Sequence, residues 1–149
     1  MTVTASTAGP GSKFRYGNPM LDCHGAQLRA QCRQLATVVT VSGRLDSKNI
    51  EAVGQQARRF VIAEKPFVLD MSGVNACGAL TLPFLRTVDE QCRSIGVEWV
   101  LIPSSAVTRR LRPENEEFSI AASVPDAMEH FADDLRGRRR LLPLLAKTA

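Results

Sequence analysis

From Ala26 to Arg33 apolar and polar residues alternate strictly, with Leu28, Ala30 and Cys32 on one side and Arg29, Gln31 and Arg33 on the other. A period of two predicts a half-buried strand at or near a sheet edge and makes Cys32 a small core residue. A short turn at Gln34 to Ala36 leads into Thr37-Val38-Val39-Thr40-Val41-Ser42, whose β-branched run reads as a central strand antiparallel to the first, ended by Gly43. The loop from Gly43 to Asn49 offers three N-cap residues, Asp46, Ser47 and Asn49. Ile50, Val53, Ala57 and Phe60 or Val61 then follow at helical spacing, so the first helix is predicted over Asn49 to Ile62.

The second half repeats a strand-then-helix alternation. Phe67 to Met71, between Pro66 and Ser72-Gly73, reads as a strand covered on both faces. The small residues from Val74 to Ala79 predict a loop. The second helix carries Leu82, Leu85, Val88, Cys92 and Ile95 inward and stops at Gly96. Thr81 reads as its cap, and Pro83, tolerated only in a first turn, predicts a late start. Glu98 to Ile102 is a further buried strand, and Ser104 or Ser105 caps a short helix with Ala106, Val107, Arg110 and Leu111. Phe118 to Ala121 is a weak strand. Ser123-Val124-Pro125-Asp126 has capping-box spacing ahead of a last helix striped by Val124, Ala127, Met128, Phe131 and Leu135.

The order β-β-α-β-α-β-α-β-α predicts a single α/β domain. Its mixed sheet has about five strands, an opening antiparallel hairpin, parallel strands thereafter and about four helices. Residues 1–20 lack any period and are expected to be disordered, residues 21–135 to form the domain, and residues 136–149 to be a basic tail. A length of 149 residues with 44% hydrophobic content suits one domain. No apolar run approaches the roughly 18 residues of a membrane span and no secretory leader is visible, so a cytoplasmic protein is expected. The formal charge of +4 is concentrated at the end, in Arg136, Arg138, Arg139, Arg140 and Lys147; the preceding residues hold 14 basic and 15 acidic groups. Without a basic stripe or interleaved aromatics, specific nucleic-acid recognition is not expected.

Little in the chain suggests catalysis. Cys23, Cys32, Cys77 and Cys92 form no CxxC pairs and the two histidines, His24 and His130, add no recognisable ligand spacing, so no metal site is expected. The motifs GxGxxG, GxxxxGK[ST] and GxSxG are absent, and no cofactor or enzymatic activity is expected. The informative stretch is Leu69 to Leu82, where a strand passes through small residues into a helix and leaves backbone amides accessible. Cys77 lies just before that helix, where a thiolate is favoured, which makes it a candidate redox residue with Cys92 as its candidate partner.

Four segments in this order, Gly43-Arg44-Leu45-Asp46, Leu69-Asp70-Met71-Ser72-Gly73-Val74, Pro103-Ser104-Ser105-Ala106-Val107 and Ser123-Val124 before a helix, together resemble the STAS domain of bacterial anti-sigma factor antagonists. The resemblance covers about Leu28 to Leu135. It implies a small binding protein that docks on a kinase-like anti-sigma factor and so releases a sigma factor for transcription, under control of a phosphorylated serine in an Asp-Ser-Ser-Gly loop. Gapless alignment from Leu69 to Gly96 puts that quartet on Gly78-Ala79-Leu80-Thr81, with the acceptor position on Leu80, which has no hydroxyl. Thr81, one place on, is an alternative acceptor or simply the helix cap. The implied partner-binding surface comprises Asp46, Ser47, Asn49, Cys77, Gly78, Ala79, Leu80 and Thr81. Three functions follow: an antagonist without phosphorylation at the usual serine, a redox-gated antagonist using Cys77, and a STAS subunit of a membrane transport complex whose partner is a transporter ATPase.

Overall fold

The computed structural model describes residues 20–112 and 118–148, with side chains through Arg136. Its elements are β1 (Met20–Cys23), β2 (Ala26–Cys32), β3 (Thr37–Leu45), α1 (Ile50–Arg58), β4 (Phe67–Cys77), α2 (Thr81–Ser94), β5 (Trp99–Pro103), α3 (Ser105–Leu111) and α4 (Val124–Thr148). The five strands lie in sequence order in one sheet. β1, β2 and β3 form an antiparallel meander, and β3, β4 and β5 are mutually parallel. This is the mixed α/β sheet with four helices that the alternation of patterns predicts.

Period-two patterning divides the core into two layers. Val39 and Val41 of β3, Phe67, Leu69 and Met71 of β4, and Trp99 and Leu101 of β5 face α1, α2 and α3. The residues between them, Val38, Val68, Val100 and Ile102, face α4, which contributes Ala127 and Phe131. β4 and β5 therefore read as continuous apolar runs, as buried parallel strands do. Trp99, the one large polar-edged ring in this core, donates its Nε1–H to Asp89 on α2 at 2.9 Å.

Several boundaries differ from the sequence expectation. β1 was not foreseen: Met20–Cys23 pairs with β2 across the two-residue turn His24-Gly25, whose φ values of 47° and 102° are those of a primed hairpin turn. α1 ends at Arg58, four residues before Ile62. β4 does not stop at Met71 but continues through Val74 to Cys77, because β3 also continues, to Leu45, and pairs with it across register shifts at Thr40/Ser42 and Gly43/Arg44. Phe118 to Ala121 forms only a bridge, Ile120 to Leu101, instead of a strand.

Among the helices, α2 begins at Thr81, not later, with Leu80 at its N-cap. Pro83 is its third residue, a position whose N–H has no intrahelical acceptor, and the first helical bond is Phe84 N–H to Leu80 O at 3.1 Å. Thr81 is thus inside the helix and is not its cap. Ile95, expected inward, lies past the end of α2 and is exposed. Ser104 and Ser123 cap as expected, their Oγ atoms accepting from Val107 N–H at 3.2 Å and Asp126 N–H at 3.3 Å. α4 runs on to Thr148, so the basic segment expected as a tail is helical in backbone. Cys32, at the end of β2, is exposed and not part of the core; its Sγ lies 3.7 Å from Lys65 Nζ. The expected disorder of residues 1–20 falls, apart from Met20, outside the described residues.

Candidate functional site

Parallel strands deliver their following loops to one edge of a sheet. β3 and β4 stay paired to their last residues, Arg44 with Ala76 and Leu45 with Cys77, so the Asp46–Asn49 loop and the Gly78–Leu80 loop emerge side by side. Between them lies a pocket of about 250 Å³ lined by Leu45, Asp46, Ser47, Ile50, Gly78, Ala79, Leu80 and Thr81. Six of the eight residues singled out in the sequence line this one pocket. Leu80 stands at its mouth, 47% exposed although it is a large aliphatic residue. From there the apolar surface continues into a groove between α1 and α2, lined by Ile50, Gly54, Pro83 and Phe84 among others.

Asp46 supplies the fixed charge at the rim. It accepts hydrogen bonds from Arg44 Nε at 3.0 Å and from Lys48 N–H at 2.9 Å. The Arg44 bond is the main cause holding its carboxyl below the usual carboxylate range, so it is ionised and oriented at neutral pH. Ser47 beside it is exposed on the loop.

The other two residues have different positions. Asn49 is fully buried and does not offer its side chain to a partner. Its Nδ2 donates to Arg44 O at 2.7 Å and His24 O at 3.1 Å, while its Oδ1 accepts from Asp46 N–H at 2.9 Å. All three bonds tie the β3–α1 loop to itself and to the β1–β2 turn, so Asn49 holds the pocket wall in shape. It occupies the α1 N-cap position without any side-chain capping bond. Cys77 faces the neighbouring concavity, about 440 Å³, with Asn75, Ala76, Ala106, Arg109 and Arg110, and its carbonyl accepts from Arg110 Nε at 3.1 Å. Arg109 and Arg110 of α3 therefore bring positive charge beside the pocket; the sequence placed Arg110 on the short helix and did not single out Arg109.

Thr81 lines the pocket yet is only 1% exposed, and its Oγ1 finds no hydrogen-bond partner among the described residues. A hydroxyl so enclosed is poorly placed as a phosphoryl acceptor. All four cysteines are free. Cys92 is fully buried, and burial pushes its thiol up to about 12, with the Asp89 charge adding to the effect. It also lies eleven residues along α2 from Thr81, about 16 Å by helical rise, so the start of α2 near Cys77 and the Cys92 thiol are far apart.

Comparison with known proteins agrees with this architecture. The family profile described as STAS domain matches residues 27–127. Osmosensory protein A of Mycobacterium tuberculosis (strain ATCC 25618 / H37Rv) is 37% identical over 155 aligned positions, spanning 99% of this chain and 98% of that protein. Among solved structures, an anti-sigma factor antagonist from Mycobacterium paratuberculosis superposes with a TM-score of 0.62 at 22% identity, covering 72% of this chain and 94% of that one. An anti-sigma-factor antagonist (STAS) domain protein from Planctomyces limnophilus gives 0.61 at 15% identity, covering 70% and 97%. SLC26A9 gives 0.58 at 19% identity, with 75% of this chain matching 22% of that much longer one. With more than half of its length matched by the family profile and a relative of 37% identity aligned end to end, this chain belongs to the STAS domain family.

Proposed function

We propose that this chain is a non-catalytic regulatory module that binds a kinase-like anti-sigma factor through the pocket edge of its sheet, without phosphorylation at the position held by Leu80. Family membership and the two solved neighbours described as anti-sigma factor antagonists support the class of function. The observation that carries the particular reading is Leu80. Where the family resemblance puts a phosphorylatable serine, this chain has an exposed aliphatic residue at the mouth of an apolar pocket. A serine there exchanges a neutral hydroxyl for about two negative charges and expels a partner by repulsion and desolvation. A leucine has no such state and contributes buried apolar area whenever the partner is present.

The test is an affinity capture from native cytosol with the full chain as bait, with and without reductant and after phosphatase treatment, read by mass spectrometry. The reading expects an ATPase of the kinase-like anti-sigma type, recovered equally under all three conditions and lost with Leu80→Asp bait. Reductant dependence abolished by Cys77→Ser instead establishes redox gating, and recovery of a transporter ATPase establishes the transport-complex reading; either outcome overturns the proposal.

A further inference from the structure

We propose that Glu98, His130 and Asp134 form a binding site for a zinc-type transition-metal dication that fastens α4 to the start of β5. The site lies at the opposite edge of the sheet from the pocket, since β5 runs parallel to β3 and β4 and Glu98 immediately precedes it.

His130 and Asp134 are four residues apart on α4 and so share a face. His130 Nε2 lies 3.5 Å from Glu98 Oε2 and 3.5 Å from Asp134 Oδ2. One ligand atom from each of the three residues falls within 4.8 Å of the others. Direct N–H···O hydrogen bonds are shorter, about 2.7–3.2 Å. A tetrahedral ion with metal–ligand bonds of about 2.0–2.2 Å separates its ligands by about 3.3–3.6 Å. Both distances from the imidazole are those of His–carboxylate ion pairs and also equal the edge of a zinc tetrahedron, so an ion can enter with little movement of its ligands. Three protein ligands leave the fourth corner to water.

The ligand set also selects the ion. One imidazole with two carboxylates suits zinc and its borderline neighbours, whereas calcium and magnesium require a more complete oxygen shell. Two carboxylates and a neutral imidazole match a dication in charge. Both sides of the site are held by the fold. Phe131, adjacent to His130, is buried with Ala127 under the sheet, and its ring lies 5.4 Å from the imidazole centroid. Glu98 is fixed through its backbone, its carbonyl accepting from Phe67 N–H at 3.0 Å. A metal here couples α4, which bears the basic C-terminal segment, to the central sheet.

The experiment is a calorimetric titration of chelator-stripped full chain with zinc chloride, in a Cys32→Ser, Cys77→Ser background that removes the accessible thiols, paired with thermal unfolding. One equivalent is expected to bind and to raise Tm by several degrees. His130→Asn and Glu98→Gln, both at exposed positions, should each lower the affinity at least tenfold and abolish the Tm rise. His24→Asn should change neither. Saturable binding that survives His130→Asn, or no binding up to about 100-fold excess zinc, overturns the proposal.

Discussion

At the scale of residues, the pocket depends on groups that do not reach solvent. Asn49 satisfies two carbonyls and one amide from three separate residues. Asn49→Ala leaves all three without that partner at part-buried positions, where water replaces part of what is lost and the total falls below the about 1–3 kcal/mol per group of full burial. We expect a loss of about 2–4 kcal/mol in urea unfolding, and at least as much for Asn49→Asp, which turns a donor into an anion facing two carbonyls. Thr81 is the opposite case, because its enclosed hydroxyl has no partner among the described residues. Thr81→Val keeps the shape and removes the buried polar atom, and is expected to raise stability by up to about 1 kcal/mol in the same measurement. Cys92 gives a pH signature. Its thiol is raised from 9.0 to about 12 in the fold, so above pH 9 the unfolded chain loses a proton that the native chain keeps. The stabilisation is complete below pH 9 and is lost as pH rises toward 12, at up to about 1.4 kcal/mol per unit. Cys92→Ala should flatten the alkaline limb of the stability profile relative to the parent chain.

At the scale of elements, the sequence revealed most where the pattern is local. Serines ahead of apolar stripes marked the starts of α3 and α4, a β-branched run marked β3, and a continuous apolar run stopped by Pro103 marked β5. It misled where the outcome depends on a distant partner. The small polar stretch after Met71 has loop composition, yet it stays in the sheet as far as Cys77 because the end of β3 lies alongside it. Asn49 has the chemistry of an N-cap, but its side chain is claimed by a carbonyl at His24, which belongs to a hairpin that was itself unforeseen. That hairpin was legible only from the His24-Gly25 turn, a weak signal beside a first strand of four residues. Gly43 read as a strand breaker. It is instead a residue within β3 at φ 95°, beside the register shift, where a Cβ would lie 2.4 Å from Gly25 O. Gly43→Ala combines positive-φ strain with a backbone clash and is expected to cost about 3 kcal/mol or more, read as a lower urea midpoint at unchanged slope.

At the scale of the whole molecule, the candidate site follows from topology. Parallel pairing of β3 and β4 brings two loops, separated in sequence by α1 and a strand, into one wall, which is why Asp46 and Ser47 meet Gly78 to Thr81. The fold class was legible from the alternation of strands and helices, whereas the grouping of Asp46 and Ser47 with Gly78 to Thr81 came from the family resemblance, and one pocket brings these residues together. The burial of Asn49 and Thr81 was not legible, since it depends on packing against elements far along the chain. Among the described residues no helix is long and apolar enough to cross a membrane.

The most direct test of the account is the affinity of the ATPase that the proposed capture is expected to recover, for purified parent chain and Leu80→Asp, measured by calorimetry beside the Tm of each. Losing the aliphatic contact and desolvating a carboxylate at the pocket mouth should weaken binding by about 2–3 kcal/mol, roughly 30- to 150-fold, with Tm not lowered, since Leu80 is half exposed and an Asp at the N-cap of α2 suits the helix N-terminus. Equal affinities for the two proteins would contradict the central claim that binding occurs through Leu80 and the pocket it guards.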